Sequence, residues 1–344
     1  MGRFGSGGTK MTPNERDNRV VWTPREKRGH VESFFLKLND PKEGVALWIK
    51  FTILSPIGHP ENAVGEVWGI FFDAEDPSRI FACKQSWPIG ECRLNHEGGT
   101  IEVGNARFME GHTAGEVEDP SGKRLKWDLD FTIDQPPLHH FPLHLLYALP
   151  FPRAKAKSPH PDSRFSGFFE THEQRYTLDR APGMQGHNWG REHTHTYAWG
   201  HCNAFANHPD AVFEGLSGKL KVGSWLSPFL SLGFLRLEDE WIRFDRFGRM
   251  ARQPVEMTTH SWRFALTNGT ETLEGRVFSP RERFAGLAYA NPNGEIAHCL
   301  NSKIADGELT LKRRGRPIVT LRAEKTFALE ILVRHADHGI PILV

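Results

Sequence analysis

The sequence has no apolar run long enough to cross a bilayer and no apolar stretch after its basic N-terminal residues. A membrane-spanning helix and a Sec signal peptide are therefore not expected. Cysteine is scarce, and the four residues show no CxxC spacing: Cys83, Cys92, Cys202 and Cys299. Such scattered cysteines indicate reduced thiols, so we expect a cytoplasmic protein, with peripheral contact to membranes left open.

Neither sign of charge is in excess. The chain has 43 Lys and Arg residues against 42 Asp and Glu residues, a formal net charge of +1. Because nucleic-acid-binding proteins attract phosphates with a basic surface, this balance argues against a nucleic-acid partner. A nucleophile elbow, a P-loop and a dinucleotide-binding fingerprint are also missing from the sequence, so no organic cofactor is expected.

The length of 344 residues exceeds what one hydrophobic core usually supports, so two domains are expected. Residues 1–29 are rich in Gly, Arg, Glu and Asn and poor in apolar residues, which predicts a disordered tail outside the fold. The two predicted domains span residues 30–185 and 186–344.

Apolar and polar residues alternate with a period of two in both halves, most clearly in residues 45–53, 127–133 and 262–266. In a β-strand this period places the apolar side chains on one face. Pairs that suit type I′ hairpin turns separate apolar runs at Asn268-Gly269, Asn293-Gly294 and Asp306-Gly307. The sequence therefore predicts an all-β fold of antiparallel meanders.

Aromatic residues are abundant, with ten Trp and 24 Phe spread over both halves. This distribution favours two aromatic-filled barrels or sandwiches over one. Residues 135–166, rich in Pro and His, interrupt the strand pattern and are predicted to form a long surface excursion that could act as a lid over a pocket.

Large and small side chains alternate along one predicted strand, HTHTYAWGHCNAF at residues 193–205. One face would carry only Thr, Ala, Gly and Cys. The other would carry His193, His195, Tyr197, Trp199, His201, Asn203 and Phe205. Aromatic and hydrogen-bonding side chains opposite small ones fit a strand that lines a ligand pocket. An ordinary core strand with hydrogen-bonded His and Tyr side chains is the alternative.

The run GHNWGREHTHTYAWGHCNAF, residues 186–205, resembles the motif of tocopherol cyclases. In that motif an acidic and a basic residue precede Asn-Trp-Gly, and Trp-x-Trp-x-Gln-Cys-Asn follows. The matching residues are Asn188, Trp189, Gly190, Trp199, Cys202, Asn203 and Phe205, with Tyr197 at the first Trp of the later part. The same run is similar to the Asp-His-x-Trp-Gly motif of bacterial carotenoid 1,2-hydratases, on which His187 falls.

Two further segments support the resemblance, which extends from about residue 30 to about residue 335. ESFFLKL at residues 32–38 resembles the Glu-Gly-Trp-Tyr-Phe-Lys opening of these proteins. GELTL at residues 307–311 and LRAEKTFALEI at residues 321–331 resemble the C-terminal strands of the cyclases. The resemblance implies two lipocalin-like antiparallel β-barrel or sandwich domains with a site near their junction. It also implies prenylated or polyene substrates that are protonated at an alkene and then cyclised or hydrated, while distant relatives steer pericyclic cyclisations.

One departure from the motif concerns the acid. Gly186 stands where the cyclases carry Glu and the hydratases carry Asp. Alkene protonation needs a strong acid in a dry site, which glycine cannot supply. Glu192, Glu32, Tyr197 or a protonated histidine could replace it, although a surface position is the commoner fate of such Glu residues. Glu192 is the carboxyl nearest to the motif in sequence, and burial against indole would keep it protonated near neutral pH.

The other motif residues would hold the substrate. His187, matched to the hydratase histidine, would orient substrate or relay a proton, with a hydrogen-bonded core histidine as the alternative. Trp189 and Trp199 would wall the pocket and stabilise positive charge through their ring faces. The remaining residues predicted to contact substrate are Glu32, Asn188, His195, His201 and Asn203.

A metal site is a competing explanation of the histidines. His193, His195 and His201 share a face of the predicted strand, and His187 precedes them, which allows three ligands and an open position. However, His195 and His201 would lie roughly 20 Å apart along an extended strand at about 3.3 Å per residue. They could not share one ion without a bend, so no metal is expected.

These observations predict a cofactor-independent cyclase, isomerase or hydratase that acts on a lipophilic prenylated, terpenoid or polyketide molecule. A non-catalytic lipophile carrier of the same fold is the alternative, and the missing acid at Gly186 adds weight to it. In both cases the expected partner is a hydrophobic small molecule, with transient contact to a membrane surface left open.

Overall fold

The computed structural model describes residues 11–344, which form two large antiparallel sheets. The first sheet contains β1 (His30–Asp40), β2 (Val45–Ser55), β3 (Val64–Asp73), β4 (Phe81–Pro88), β5 (Arg93–Leu94), β6 (Ile101–Val103), β7 (Ala106–Met109), β8 (His112–Glu118), β9 (Arg124–Phe131), β10 (Leu138–His139), β11 (Ala154–Thr171) and β12 (Arg175–Gly190). The order across it is β4-β3-β2-β1-β12-β11-β9-β8-β7-β6-β5, with β10 paired to β11.

The second sheet and a separate small hairpin follow. Their strands are β13 (Thr196–Cys202), β14 (Val212–Lys219), β15 (Lys221–Val222), β16 (Trp225–Leu226), β17 (Leu230–Leu237), β18 (Glu240–Arg243), β19 (Val255–Met257), β20 (Ser261–Thr267), β21 (Glu271–Phe278), β22 (Ala285–Ala290), β23 (Ile296–Arg313) and β24 (Val319–Val333). The order in the second sheet is β18-β17-β14-β13-β24-β23-β21-β20-β19, β22 pairs with β23, and β15 pairs with β16.

Helical segments are short. They are α1 (Pro13–Asp17), α2 (Leu145–Ala148) and the 3-10 turns Pro60–Asn62, Pro77–Arg79, Ile89–Glu91, Met250–Arg252 and Arg281–Arg283. Within residues 11–344, none of these has the length and apolar character that crossing a bilayer requires.

Each sheet surrounds its own apolar core, because strand alternation directs every second side chain inward. In the first core, Ile49 and Phe51 of β2 join Trp127 of β9. In the second, Trp262 of β20 contacts Phe213 of β14, with the ring centroids 6.3 Å apart. The predicted all-β architecture is thereby confirmed.

The outer face of β2 and β3 is also covered. Trp48 and Trp68 share an apolar cluster with Leu287, Cys299 and Leu332 of the second sheet. Strand β2 is therefore buried on both faces: its inward side chains fill the first core, and its outward side chains pack against the second sheet. This contact between the sheets creates the junction at which the candidate site lies.

Residues 11–29 pack against the first sheet, and the prediction of a disordered tail is wrong for them. Trp22 is only 4% exposed and joins the first core. The backbone N–H groups of Val21 and Trp22 each donate to a carboxylate oxygen of Glu32 at 2.8 Å. The buried carboxylate of Glu32 in β1 holds this segment, and composition alone does not reveal that this carboxylate is buried and turned towards residues 21 and 22. Residues 1–10 of the predicted tail lie outside the described residues.

The predicted turns and boundaries also need adjustment. Asn268-Gly269 joins β20 to β21 and Asn293-Gly294 joins β22 to β23, but only the glycine of each pair has a positive φ, so neither forms the expected type I′ turn. Asp306-Gly307 instead lies inside β23 at a register shift against β24, where a Cβ on Gly307 would meet the Phe327 ring at 2.4 Å. The first sheet continues to Gly190, past the predicted boundary at residue 185, and the division into domains stays a prediction.

The predicted surface excursion is shorter than the sequence suggested. Strand β11 begins at Ala154 and runs through two prolines, with three register shifts against β12. The irregular part before it contains β10 and α2, and it places His140 and Phe141 against the cavity described next.

Candidate functional site

A cavity opens where the two sheets meet. It contains about 960 Å³ of space free of protein atoms, its open mouth included. Aromatic side chains from both sheets form much of its wall: Phe35, Trp48, Phe141, Trp189, Tyr197, Trp199 and Tyr289. This lining suits a small lipophilic molecule.

Strand β13 brings Tyr197 and Trp199 to the cavity, as strand alternation predicts. The indole Nε1–H of Trp199 donates to Glu214 at 3.1 Å. The Tyr197 hydroxyl donates to Glu330 at 3.5 Å. Burial raises the pKa of Tyr197 well above its ordinary value, so this hydroxyl stays protonated at neutral pH.

The later residues of the same segment lie outside the cavity. His201 places Nε2 2.8 Å from the Pro161 carbonyl oxygen. The Asn203 amide donates to Asp162 and to the Gly183 carbonyl, both at 2.7 Å. Since β13 ends at Cys202, alternation stops there, and Phe205 turns into the core of the second sheet. The expected placement of His201, Asn203 and Phe205 on the pocket wall is thus corrected: His201 and Asn203 fasten β13 to the first sheet.

The predicted histidines at the start of the segment have different positions. His193 lines the cavity, and its ring centroid lies 5.0 Å from that of Tyr289. His195 is half-exposed in a small adjoining depression, with Nδ1 2.9 Å from the Thr196 hydroxyl. Among the residues that the structure describes, no group of three or more His, Cys, Asp or Glu side chains could hold a metal ion.

Glu32 and His187 form a hydrogen-bonded core pair outside the cavity. His187 Nε2 lies 2.9 Å from one carboxylate oxygen of Glu32, and His30 Nε2 lies 2.9 Å from the other. His187 Nδ1 lies 2.6 Å from the Asp17 carbonyl oxygen, so both of its ring nitrogens are occupied. Burial alone would raise the pKa of Glu32, but hydrogen bonds from His187 and His30 lower it to about 2. The expected substrate contacts of Glu32 and His187 are therefore corrected to structural roles.

Two other motif residues do line the cavity. Asn188 and Trp189, at the end of β12, form part of its wall. The Trp189 ring stacks on that of Tyr147, with centroids 5.9 Å apart. The side chains of Asn188 and Trp189 are half-buried, which leaves them accessible to a bound molecule.

Glu192 lies at the cavity mouth. Its side chain is 31% exposed, and one oxygen lies 3.4 Å from a guanidinium nitrogen of Arg153. The expected burial against indole is not found, and this setting is not the dry one that alkene protonation needs.

Packing explains why a glycine stands at position 186, where the related proteins carry an acid. Gly186 pairs directly with Phe35 across β12 and β1. A Cβ on Gly186 would lie 2.3 Å from Cζ of the Phe35 ring. That ring lines the cavity and meets Trp199 edge-on at 5.8 Å. Phe35 thus occupies the space that a side chain at position 186 would need.

Gly186→Ala is expected to lower the free energy of unfolding by about 1–3 kcal/mol, because the methyl group overlaps the Phe35 ring. Urea denaturation measures the loss. Gly90→Ala is the matched control, since a Cβ there meets no heavy atom within 4 Å. Equal stability of the two variants would contradict this account of Gly186.

A buried carboxylate and a histidine that the sequence did not single out complete the wall. Glu214 of β14 is 1% exposed and His140 is 4% exposed. One Glu214 oxygen accepts hydrogen bonds from Trp199 at 3.1 Å and Ser158 at 2.8 Å, and His140 Nε2 lies 3.1 Å from it. The other Glu214 oxygen and His140 Nδ1 are buried without a hydrogen-bond partner among the described residues.

The charge of Glu214 follows from these contacts. Burial by itself would raise the pKa of Glu214, but His140 and the hydrogen bonds lower it to about 2. Glu214 is therefore a carboxylate at neutral pH and not an acid. A second buried carboxylate in the wall, Glu330, is neutralised by Lys303 at 2.7 Å.

One sequence signal could have found Glu214. It is the single charged residue in the apolar run AVFEGL, residues 211–216, and Lys50 is likewise alone in LWIKFTIL, residues 47–54. Charged residues are seldom fully buried unless they are paired or functional. His140 offered no comparable signal, because it lies in an irregular segment.

Comparisons with known proteins agree with this fold. The tocopherol cyclase-like family matches residues 161–331. Two uncharacterized proteins of Mycobacterium tuberculosis, MT0513 (strain CDC 1551 / Oshkosh) and Rv0493c (strain ATCC 25618 / H37Rv), are each 22% identical over 290 residues, 84% of this chain and 84% of theirs. A crystal structure described as AttH (NE1406) from Nitrosomonas europaea aligns with a TM-score of 0.53 at 12% identity. This alignment covers 96% of this chain and 98% of that one and shows a lipocalin-like fold.

The match to the family includes β13, Glu214 and most of the second sheet. It also includes the Asn188-Trp189-Gly190 run on which the resemblance was first noted. The resemblance to the tocopherol cyclase-like family is thereby confirmed over residues 161–331, in a chain with a lipocalin-like fold.

Proposed function

We propose that this protein is a cofactor-independent isomerase, cyclase or hydratase. Its substrate is a lipophilic prenylated, terpenoid or polyketide molecule bound in the cavity. The observation that carries the proposal is the pair of His140 and Glu214 in an aromatic wall, each with one buried polar atom that has no partner among the described residues. Unpartnered polar atoms are costly inside a protein, so their persistence in a cavity wall suits a group that serves a ligand.

The aromatic wall supplies the affinity. Removing apolar ligand surface from water contributes about 25 cal/mol per Å² before the costs of association. Trp189, Tyr197 and Trp199 offer ring faces and edges to a hydrocarbon chain, and Asn188 adds a polar group at the end of β12.

Proton transfer is the chemistry that the pair can perform. Ionised Glu214 orients the imidazole of His140 through Nε2, and Trp199 and Ser158 fix the carboxylate. Histidine is the commonest general acid or base in enzymes, and Nδ1 of His140 has no partner among the described residues, so Nδ1 is the proposed proton-transfer atom. In an isomerisation it removes a proton beside a double bond and returns one at another carbon, with no net redox change. In a cyclisation or hydration only the doubly protonated imidazolium would carry a proton at Nδ1 to donate, and it is a weaker acid than alkene protonation favours, so the pair suits isomerisation best.

Positive charge that develops on the substrate would be stabilised in two ways. Aromatic faces attract cations through their quadrupoles, and Trp189 and Trp199 both line the cavity. The carboxylate of Glu214, which is buried and held by hydrogen bonds, adds a preorganised negative charge.

A lipophile carrier is the second candidate. Gly186 lacks the acid that the cyclases and hydratases use, and Glu214 is ionised at neutral pH, so no carboxylic acid has been identified in the wall. A carrier needs only the aromatic cavity.

The test is a panel of prenylquinols and polyenes. Tryptophan fluorescence reports binding, and liquid chromatography with mass spectrometry reports isomerised, cyclised or hydrated products. Binding with product formation supports the enzyme, binding of the whole panel without product supports the carrier, and no binding at all would contradict both.

A further inference from the structure

A buried amine without a carboxylate partner faces the cavity. Lys50 lies on β2, opposite Phe35 of β1 and Trp68 of β3, and is 3% exposed. Its Nζ lies 3.7 Å from the ring centroid of Tyr289, 5.4 Å from that of Trp68 and 5.5 Å from that of Trp48. Among residues 11–344 it forms neither a hydrogen bond nor an ion pair within 4.0 Å.

Lys303 is a second buried lysine, and its surroundings differ from those of Lys50. Lys303 is also fully buried, but its Nζ donates to Glu330 and to Asn301, both at 2.7 Å. Lys303 therefore has the charged partner that a buried ammonium normally requires. Lys50 has three aromatic rings instead, and it contributes to the cavity wall while Lys303 does not.

Burial leaves part of the Lys50 amine unprotonated and therefore nucleophilic. Burial lowers the pKa of Lys50 to about 8, although nearby acidic groups, among them Glu330 and Glu66, oppose this. At pH 7 roughly a tenth of the amine would be unprotonated, and the free amine is the nucleophile. Burial also lowers the pKa of His193 to about 3, so a neutral imidazole that can accept a proton lies in the same wall.

We propose that Lys50 forms an imine with the carbonyl carbon of a lipophilic aldehyde or ketone in the cavity. The inference rests on the proposed function and names its substrate class as α,β-unsaturated carbonyl lipophiles. An anionic head group fits less well, because Glu192, Glu214 and Glu330 also contribute to the wall.

The step balances without a cofactor. The Nζ lone pair attacks the carbonyl carbon and gives a carbinolamine. One amine hydrogen moves to the former carbonyl oxygen, and the resulting hydroxyl then leaves with the remaining N–H hydrogen as one molecule of water, which leaves a carbon–nitrogen double bond. Protonation of the imine from solvent places a positive charge next to the conjugated chain, where the faces of Trp48, Trp68 and Tyr289 stabilise it. The cation also acidifies carbon-bound hydrogens along the chain, which helps His140 to move a proton, and hydrolysis restores the amine.

Borohydride trapping tests the inference. The protein is incubated with citral, a terpenoid enal, then reduced with sodium cyanoborohydride, and the modified lysine is identified by peptide mass spectrometry. Labelling at Lys50 is expected to exceed that at exposed Lys221 by about 10-fold or more. Lys50→Met should abolish the label and Lys221→Met should retain it. If Lys50→Met does not fold, the labelled peptide of the wild type decides alone.

Geraniol, the alcohol that cannot form an imine, separates this inference from the proposed function. If citral and geraniol both quench tryptophan fluorescence and Lys50 becomes labelled, both proposals stand. If both ligands bind and label appears only on surface lysines, the imine is refuted and the lipophile site remains. If neither ligand binds and Lys50 stays unlabelled, both proposals fail.

Discussion

His140→Gln is expected to reduce kcat for a substrate of the cavity by about 100-fold or more, with KM changed by less than about 3-fold. Glutamine keeps a polar side chain near Glu214 but cannot exchange a proton at the Nδ1 position. Because the His140 side chain is buried, this substitution should not expose the cavity wall to solvent. A fall in kcat would therefore report lost proton transfer. Steady-state kinetics on a substrate found in the panel measures both constants.

Two further variants make this result specific. His112→Gln changes a half-buried histidine on β8, away from the cavity, and should leave kcat unchanged. Glu192→Gln tests the donor that the sequence favoured, and its expected effect is less than about 3-fold, because Glu192 pairs with Arg153 at the mouth. If kcat fell by about 100-fold in Glu192→Gln and was unchanged in His140→Gln, the proton donor would be Glu192 and not His140.

Glu32→Gln is expected to lower the free energy of unfolding at pH 7 by about 3 kcal/mol. The carboxylate accepts from two backbone N–H groups and lies within hydrogen-bond distance of two histidines, and an amide NH₂ would face some of these donors. The variant should therefore loosen residues 11–29 first. Urea denaturation measures the loss, and Glu61→Gln, an exposed Glu, should stay close to the wild type.

The pH dependence of this loss has a defined sign. The pKa of Glu32 is about 2 in the folded protein against an ordinary value of 4.5, so it is lowered. Its stabilisation is fully present above pH 4.5 and disappears as the pH falls towards 2. The difference between wild type and Glu32→Gln should shrink over that range. A difference that stays constant from pH 7 to pH 3 would show that Glu32 does not act through its charge.

Much of the fold could be predicted because the alternation of apolar and polar residues along a strand shows, within a short stretch of sequence, which side chains are buried. The alternating run at residues 262–266 falls on β20 as expected, whereas the run at residues 127–133 falls on β9 only as far as Phe131. The burial of the outward face of β2 could not be predicted, since Trp48 on that face packs against strands more than 200 residues away in sequence. The anchoring of Trp22 could not be predicted for a different reason: its partner Glu32 is near in sequence, but composition does not show that this carboxylate is buried and accepts backbone hydrogen bonds.

The candidate site was predictable only where the motif is contiguous. Tyr197, Trp199, Asn188 and Trp189 came from one stretch of sequence, and all four line the cavity. Glu214 reaches the cavity because β14 pairs with β13, and strand register cannot be derived from one sequence. His140, Lys50 and Tyr289 come from three further elements that only the packing of the two sheets brings together.

The central claim is that the cavity between the sheets holds a lipophilic small molecule. Mass spectrometry of lipids that co-purify with the protein from its native host tests it most directly, with a variant that fills the cavity. Ala156→Trp places a large ring in the wall, and Ala265→Trp places the same ring on β20, away from it. The account predicts a prenylated, terpenoid or polyketide lipid in the wild type and in Ala265→Trp, reduced by about 10-fold in Ala156→Trp. Equal amounts of lipid in all three proteins, or none above a blank purification, would contradict it.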